Sequence, residues 1–172
     1  KVADLATGDP SDPATVVGPM INEAAAERVQ RWVGEAVAGG GSVLVGGDRS
    51  GSQYPPTLLA DVPEDANCYA EEVFGPVMTV GMFSGVAAGL AEVNNSRFGL
   101  QAGIFTHDLQ VAFRAHAELD VGGVVVGDIP SFRADQMPYG GVKNSGDGRE
   151  GLASAMMDYT DVKVMVLVGI DL

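Results

Sequence analysis

The chain has 172 residues, of which 46% are hydrophobic and 19% charged, a composition typical of folded globular proteins rather than disordered ones. This length allows one well-buried core and is short for two domains, so we expect a single domain over residues 1–172. The formal net charge of −13 argues against nucleic acid or an anionic membrane surface as partner, because binding to either requires clustered Lys and Arg.

The two ends of the chain and its cysteine content bear on its cellular context. Cys68 is the only cysteine, so no disulfide can form within the chain, and a reducing, cytoplasmic location is expected. No signal sequence stands at the start, and no apolar run approaches twenty residues. Lys1 to Leu5 read like the end of a helix, so we interpret the chain as a piece of a longer protein.

Helical and strand-like patterns alternate along the chain. The first helix is expected to begin after Asn22 and to end at Gly39–Gly41, with its apolar residues on one stripe of period 3.6. This alternation predicts an α/β fold of three αβα layers, a mostly parallel sheet with helices on both faces. The later expected elements are a buried strand at 42–45, a strand at 77–83, a helix capped by Ser84, a strand at 100–106, a helix capped by Asp108, a strand at 123–126, a Gly-rich loop at 127–148 and a helix at 151–157.

The chain ends in a nearly continuous apolar run, Val162 to Ile170. A strand this apolar must be covered on both faces or paired along its edge. Two interpretations have equal weight on the pattern alone. The run is either a strand of the local sheet or a strand that pairs with a neighbouring subunit.

The individual side chains supply no catalytic residue and no metal site. Cys68 is surrounded in sequence by Glu64, Asp65, Glu71 and Glu72, which would raise its pKa, so we interpret it as an inert thiol. The two histidines, His107 and His116, have no second ligand at metal-binding spacing.

A short segment, Glu71 to Val77, combines a carboxylate, an aromatic ring and a Gly-Pro pair. The Glu72 carboxylate can accept two hydrogen bonds from a sugar diol, and the Phe74 ring can cover a flat heterocycle. Gly75 permits a close backbone approach, and Pro76 fixes the backbone. The simpler interpretation of the pattern is a helix end with Phe74 in the core.

The Gly-rich segment from Gly140 to Gly148 matches neither a Walker A loop nor a G-x-G-x-x-G fingerprint. Its glycines require a sharp turn or a close backbone approach. Lys143 could hold an anion, although a salt bridge or contacts with loop carbonyls are the simpler expectation.

Over nearly its whole length the chain resembles the C-terminal part of the catalytic domain of an NAD(P)-dependent aldehyde dehydrogenase. The resemblance therefore implies that family's catalytic-domain fold. It depends on six segments that occur in the family's order. These are residues 8–19, Tyr54–Leu58, Glu71–Val77, Asn94–Leu100, Phe105–Asp108 and the signature at 137–150.

The resemblance implies an activity and several site residues. Family members oxidise an aldehyde to a carboxylic acid with NAD(P)+, through a cysteine thiohemiacetal and a thioester. By this resemblance, Glu72 would hold the ribose hydroxyls on the nicotinamide side, and Phe74 would pack near the nicotinamide ring. The loop with Phe132 and Arg133 would line the aldehyde entrance. Residues 162–170 would form an oligomerisation strand, so we expect a homo-oligomer.

Several parts of the family's active site have no counterpart in these residues. The catalytic Cys, the general-base Glu, the oxyanion Asn and the dinucleotide-binding half are expected to precede Lys1, so the isolated fragment is expected to be inactive. Gly127 stands where the family commonly has Asn. The alternative function is a non-catalytic oligomerisation or interaction module derived from an aldehyde dehydrogenase.

Arg133 raises a question of substrate charge. A guanidinium at the substrate entrance would suit an aldehyde bearing a carboxylate or phosphonate, through bidentate hydrogen bonds. The simpler interpretation is an internal ion pair between Arg133 and Asp135.

Overall fold

A computed structural model describes residues 1–169 of the chain, which divide into two compact units, residues 1–83 and the residues from Ser84 onward. Helices and strands alternate in both, which confirms the α/β class. In place of one sheet, the described strands form three small sheets, with two parallel and two antiparallel pairings. The single domain expected over residues 1–172 stays a prediction.

The first unit is built on one long helix and a three-stranded sheet. After a short 3-10 turn at Val2–Asp4, its elements are α1 (Glu23–Ala38), β1 (Ser42–Val45), β2 (Thr57–Ala60), α2 (Asn67–Ala70) and β3 (Val77–Val80). The sheet order is β1-β2-β3, with β1 antiparallel and β3 parallel to β2. The helix α1 begins as expected, because the Asn22 Oδ1 atom accepts a hydrogen bond of 2.8 Å from the Ala25 amide.

The core of this unit lies between α1 and the sheet. Its buried side chains are Val29, Val33 and Ala36 of α1 with Tyr54, Leu59 and Cys68. The expectation that Ser42–Val45 is buried was wrong, since Ser42, Val43 and Leu44 are exposed. The reason is position: β1 is an edge strand, and the core side chains come from α1, β2 and the segments beside them.

As far as residue 169, the second unit contains four short strands and three helices. They are α3 (Val86–Asn94), β4 (Phe98–Gly99), β5 (Gln101–Ile104), α4 (Leu109–Glu118), β6 (Gly123–Val126), β7 (Val142–Lys143) and α5 (Leu152–Asp158). β5 pairs in parallel with β6, and β4 pairs antiparallel with β7. The core is a cluster of Leu90, Ala115 and Leu119, with Ile104 and Val124 packed against it.

The two helix caps expected in this unit have different outcomes. The Asp108 carboxylate accepts hydrogen bonds from the amides of Gln110 and Val111, as expected at the start of α4. The expectation that Ser84 caps the helix α3 was wrong. The cap position of α3 is Gly85, whose φ of 82° lies in the region that favours glycine, and no side chain in the described part of the chain caps the helix.

The apolar run at the end is exposed and belongs to no helix or strand among the described residues. Residues 162–169 form no strand, so the interpretation as a strand of the local sheet was wrong for them, and Ile170 lies outside the described residues. The six apolar side chains of the run are 59% to 84% exposed, and they are Val162, Val164, Met165, Val166, Leu167 and Val168. Pairing with another subunit stays a prediction. Among residues 1–169, no helix has the length and apolar character needed to cross a membrane.

Candidate functional site

The loop between α2 and β3 carries both residues expected to contact a cofactor, Glu72 and Phe74. Both side chains are exposed, and the Phe74 ring is 79% exposed. Phe74 has a φ of 46°, a left-handed conformation that costs a non-glycine residue about 1–2 kcal/mol. Placing Phe74 in the core was wrong, because its neighbour Val73 packs against the core instead.

The backbone of this loop is fixed against α1. The Arg28 Nη2 atom donates a hydrogen bond of 2.7 Å to the Val73 carbonyl, and the Arg28 guanidinium stacks 4.6 Å from the centre of the Trp32 ring. At Gly75, a Cβ atom would lie 2.9 Å from Val29 Cγ2, closer than side chains approach one another. The close backbone approach expected at Gly75 is therefore an approach to α1, and it requires glycine.

The loop is also tied to the sheet where β3 begins. The Thr57 amide donates a hydrogen bond of 2.8 Å to the Pro76 carbonyl, and the Val77 amide donates one of 2.8 Å to the Gly75 carbonyl. With both sides of the Phe74 turn anchored, the loop presents a carboxylate and an aromatic ring to solvent from a fixed backbone. Such a surface suits a sugar diol attached to a flat heterocycle.

Cys68 is a core residue of the first unit. It is 6% exposed and lies in the cluster with Val29 and Leu59. Burial raises the pKa of the Cys68 thiol, and the negative charge of Glu35 raises it further. The raised pKa was expected, but the carboxylate responsible is Glu35 rather than the sequence neighbours of Cys68. A thiol in this setting is a poor nucleophile.

Arg133 lies on a platform formed by Tyr139 and Glu150. Its Nη2 atom donates a hydrogen bond of 2.9 Å to Glu150 Oε2, and its guanidinium stacks 4.5 Å from the centre of the Tyr139 ring. The expectation of an ion pair between Arg133 and Asp135 was wrong. Two backbone hydrogen bonds join Tyr139 to Glu150, so the ring and the carboxylate come side by side under Arg133.

Phe132 lies beside an open groove of about 510 Å³ in the second unit. The groove is also lined by Gln101, by the residues of β6 from Gly123 to Val126, and by Gly127, Asp128 and Met137. Phe132 is 55% exposed and the Arg133 side chain 51%. The two residues expected at the aldehyde entrance therefore combine an apolar surface with an accessible positive charge.

The Gly-rich segment has a structural role. The Lys143 Nζ atom donates hydrogen bonds to the carbonyls of Asn94 (2.9 Å) and Ser96 (3.0 Å) at the end of α3. This confirms the simpler expectation that Lys143 contacts loop carbonyls. A Cβ atom on Gly122 would overlap the Gly140 carbonyl oxygen. The glycines in this region thus serve close backbone crossings, and Lys143 fastens the segment to α3.

Three residues that hold the expected site residues, one in the first unit and two in the second, were not predicted from the sequence. They are Arg28, which anchors the Phe74 loop, and Tyr139 and Glu150, which carry Arg133. Tyr139 and Glu150 flank the Gly-rich segment, and a chain that turns back on itself there brings its two ends together. The turn expected in the Gly-rich segment was therefore the sequence signal from which the pairing of Tyr139 with Glu150 could have been predicted. Within the described residues, no group of three or more His, Cys, Asp or Glu side chains could hold a metal ion.

The comparison with known families decides the assignment. The model of the aldehyde dehydrogenase family matches residues 1–165. The chain belongs to the aldehyde dehydrogenase family. It is 44% identical to 3-sulfolactaldehyde dehydrogenase of Priestia aryabhattai over 97% of its own length, and it spans about 35% of the length of that relative.

Solved structures of aldehyde dehydrogenases share the fold. Aldehyde dehydrogenase 21 from Physcomitrella patens, in complex with its reaction product succinate, has a TM-score of 0.93 and 47% identity over 96% of this chain and 34% of its own. Glyceraldehyde-3-phosphate dehydrogenase from Methanocaldococcus jannaschii, complexed with NADP, has a TM-score of 0.87 and 37% identity over 94% of this chain and 35% of its own.

The contact between Gly75 and α1 can be tested by adding one methyl group. We expect Gly75→Ala to lower the free energy of unfolding by about 1–3 kcal/mol, because its Cβ atom would press on Val29 in the core. Urea unfolding of the 172-residue chain measures the change. Gly81→Ala is the matched control, since a Cβ atom there would meet no atom of residues 1–169 within 4 Å. Equal stability of the two variants would contradict the packing argument.

Proposed function

We propose that the chain is part of an NAD(P)-dependent aldehyde dehydrogenase that oxidises an aldehyde to a carboxylic acid. The observation that carries the proposal is the match of residues 1–165 to the family, together with the exposed, anchored pair of Glu72 and Phe74. The complex of a structural neighbour with NADP supports this choice of cofactor. When bound, the nicotinamide would accept a hydride from the substrate.

The residues of the Phe74 loop would bind and orient the cofactor. The Glu72 carboxylate would accept hydrogen bonds from the two hydroxyls of the ribose on the nicotinamide side. The Phe74 ring would cover the flat nicotinamide and exclude water from one of its faces. Because α1 and β2 fix the backbone at Val73, Gly75 and Pro76, the loop would be preorganised for this task.

The nucleophile of the reaction would come from a part of the parent protein other than these 172 residues. Cys68 is their only cysteine, and its burial and raised pKa oppose thiolate formation. The chain alone is therefore expected to be inactive. Its contribution would be to hold the cofactor at the Phe74 loop and the substrate beside Phe132 and Arg133.

The substrate we propose is a small aldehyde that carries a negative charge at its other end. Of the five N–H donors of a guanidinium, Arg133 engages one with Glu150 within the described residues. The stack on Tyr139 and the bond to Glu150 fix its plane, and the remaining donors suit a carboxylate, a sulfonate or a phosphate. The names of three similar proteins point the same way, with 3-sulfolactaldehyde, succinate and glyceraldehyde-3-phosphate as their ligands or substrates.

One assay of the complete parent enzyme tests the activity and the substrate class together. With NAD(P)+ present, we expect oxidation of succinic semialdehyde and of a neutral aldehyde such as propanal. Arg133→Ala should lower kcat/KM for the anionic aldehyde about 10- to 100-fold, the effect of one charged hydrogen bond, and change the neutral one less than twofold. Absence of turnover would refute the proposed function. An equal change in kcat/KM for both aldehydes would refute only the role of Arg133 in substrate binding and would leave the proposed activity standing.

Two variants serve as controls in this assay. Arg114→Ala removes an exposed guanidinium that pairs with Glu118 on α4, so kcat/KM should stay within twofold for both aldehydes. Cys68→Ala should also retain turnover, since we exclude this thiol as nucleophile. Complete loss of turnover in a folded Cys68→Ala enzyme would contradict that exclusion.

A second candidate function, as an oligomerisation module, rests on the exposed run at residues 162–168. A segment outside any helix or strand, with exposed apolar side chains, has backbone groups and apolar surface with which another chain could pair. We propose that this run pairs with another subunit, so that the protein is a homo-oligomer. This function is compatible with the first one.

Light scattering of the 172-residue chain at micromolar concentration tests the pairing. We expect a dimer or a larger assembly, and a monomer for the double variant Val164→Lys, Val166→Lys, which charges one face of the run. Asp161→Lys changes the net charge by the same amount outside the run and should keep the assembly. A monomeric unmodified chain would contradict the proposal, as would an assembly that the double variant leaves intact.

A further inference from the structure

Gln101 connects β5 to the segment that lines the proposed aldehyde entrance. It is the first residue of β5, and its Nε2 atom donates a hydrogen bond of 3.2 Å to the Phe132 carbonyl. The two residues are 31 positions apart in the chain. Arg133 follows Phe132 directly, so this hydrogen bond fixes the backbone next to the guanidinium.

The orientation of the Gln101 amide is set by this contact. A carbonyl only accepts hydrogen bonds, so the Phe132 oxygen requires the amino group, which turns the Oε1 atom the other way. That Oε1 atom is buried and has no hydrogen-bond partner within the described residues. A buried acceptor without a partner costs free energy. The hydrogen bond that the Gln101 amide makes within the described residues is therefore the one from Nε2 to the Phe132 carbonyl.

A second contact point on the same face of β5 supports this assignment. Successive residues of a strand point to opposite faces, so Gln101 and Gly103 share a face. At Gly103 a Cβ atom would lie 2.6 Å from the Asp128 carbonyl oxygen and 3.1 Å from Pro130 Cδ. The loop that carries Asp128, Pro130 and Phe132 therefore contacts β5 directly at Gly103, and it accepts a hydrogen bond from β5 at Gln101.

We propose that Gln101 is a positioning residue that holds Phe132 and Arg133 where the guanidinium meets the anionic end of the aldehyde. The substrate part of this inference rests on the proposed function. Gln101 acts through the backbone at Phe132 and does not touch the substrate. The guanidinium is then held from two sides, by the Gln101 contact at Phe132 and by the platform of Tyr139 and Glu150.

The first test measures the loop in the 172-residue chain without any assay of activity. Gln101→Leu keeps much of the side-chain volume and removes the donor, so the backbone order parameters of residues 131–134, from nuclear relaxation, should fall from about 0.85 towards 0.6. Gln110→Leu, on the exposed face of α4, is the matched control and should leave them unchanged. Unchanged values in Gln101→Leu would overturn the proposal, as would a fall spread evenly over the second unit.

The second test uses the complete parent enzyme. Gln101→Leu should raise KM for succinic semialdehyde on the order of fivefold, the effect of one lost neutral hydrogen bond, with kcat and the KM for propanal within twofold. In the double variant with Arg133→Ala, Gln101→Leu should add nothing further, because it acts through Arg133. Additive losses would overturn the proposal. A parent without aldehyde oxidation would refute the proposed function instead, while the order parameters would still decide the position of the loop.

Discussion

The close packing of Gly75 on Val29 is the contact on which the candidate cofactor loop depends. Without a side chain at Gly75, the backbone lies directly on α1, and Val73 enters the core while Phe74 turns outward with a positive φ. The conformational cost at Phe74 is offset by anchors on both sides, from Arg28 to the Val73 carbonyl and from Thr57 to the Pro76 carbonyl. An exposed aromatic ring on a fixed backbone is the result.

The second unit uses the same physical means for a different purpose. Backbone segments cross closely where glycine leaves room, at Gly103 beneath the Asp128 carbonyl and at Gly122 beside the Gly140 carbonyl. Polar side chains then fix the crossings, with Lys143 bonded to the end of α3 and Gln101 to Phe132. In both units hydrogen bonds to backbone carbonyls fix a loop, at Val73 and Pro76 in the first and at Phe132 in the second, while Phe74 and Phe132 remain exposed.

The sequence predicted elements well where one residue determines local geometry. The Asn22 and Asp108 caps have side-chain oxygens at fixed reach of nearby amides, so both helix starts were correct. Contacts between residues far apart in the chain could not be predicted from the sequence. The pattern around Arg133 offered the neighbouring Asp135, whereas the pairing partner Glu150 arrives only when the Gly-rich segment folds back. The interpretation that placed Phe74 in the core from the pattern alone was wrong, because its outward direction follows from a positive φ that no hydrophobic pattern encodes.

The most direct test of this account is an experimental structure of the complete parent enzyme with NAD(P)+ bound. We expect both oxygens of the Glu72 carboxylate to lie about 2.5–3.0 Å from the hydroxyls of the ribose on the nicotinamide side, with the Phe74 ring in contact with the cofactor. The backbone from Val73 to Pro76 should keep its contacts with α1 and β2. A cofactor bound away from Glu72, with Phe74 packed into the protein interior, would contradict the central claim.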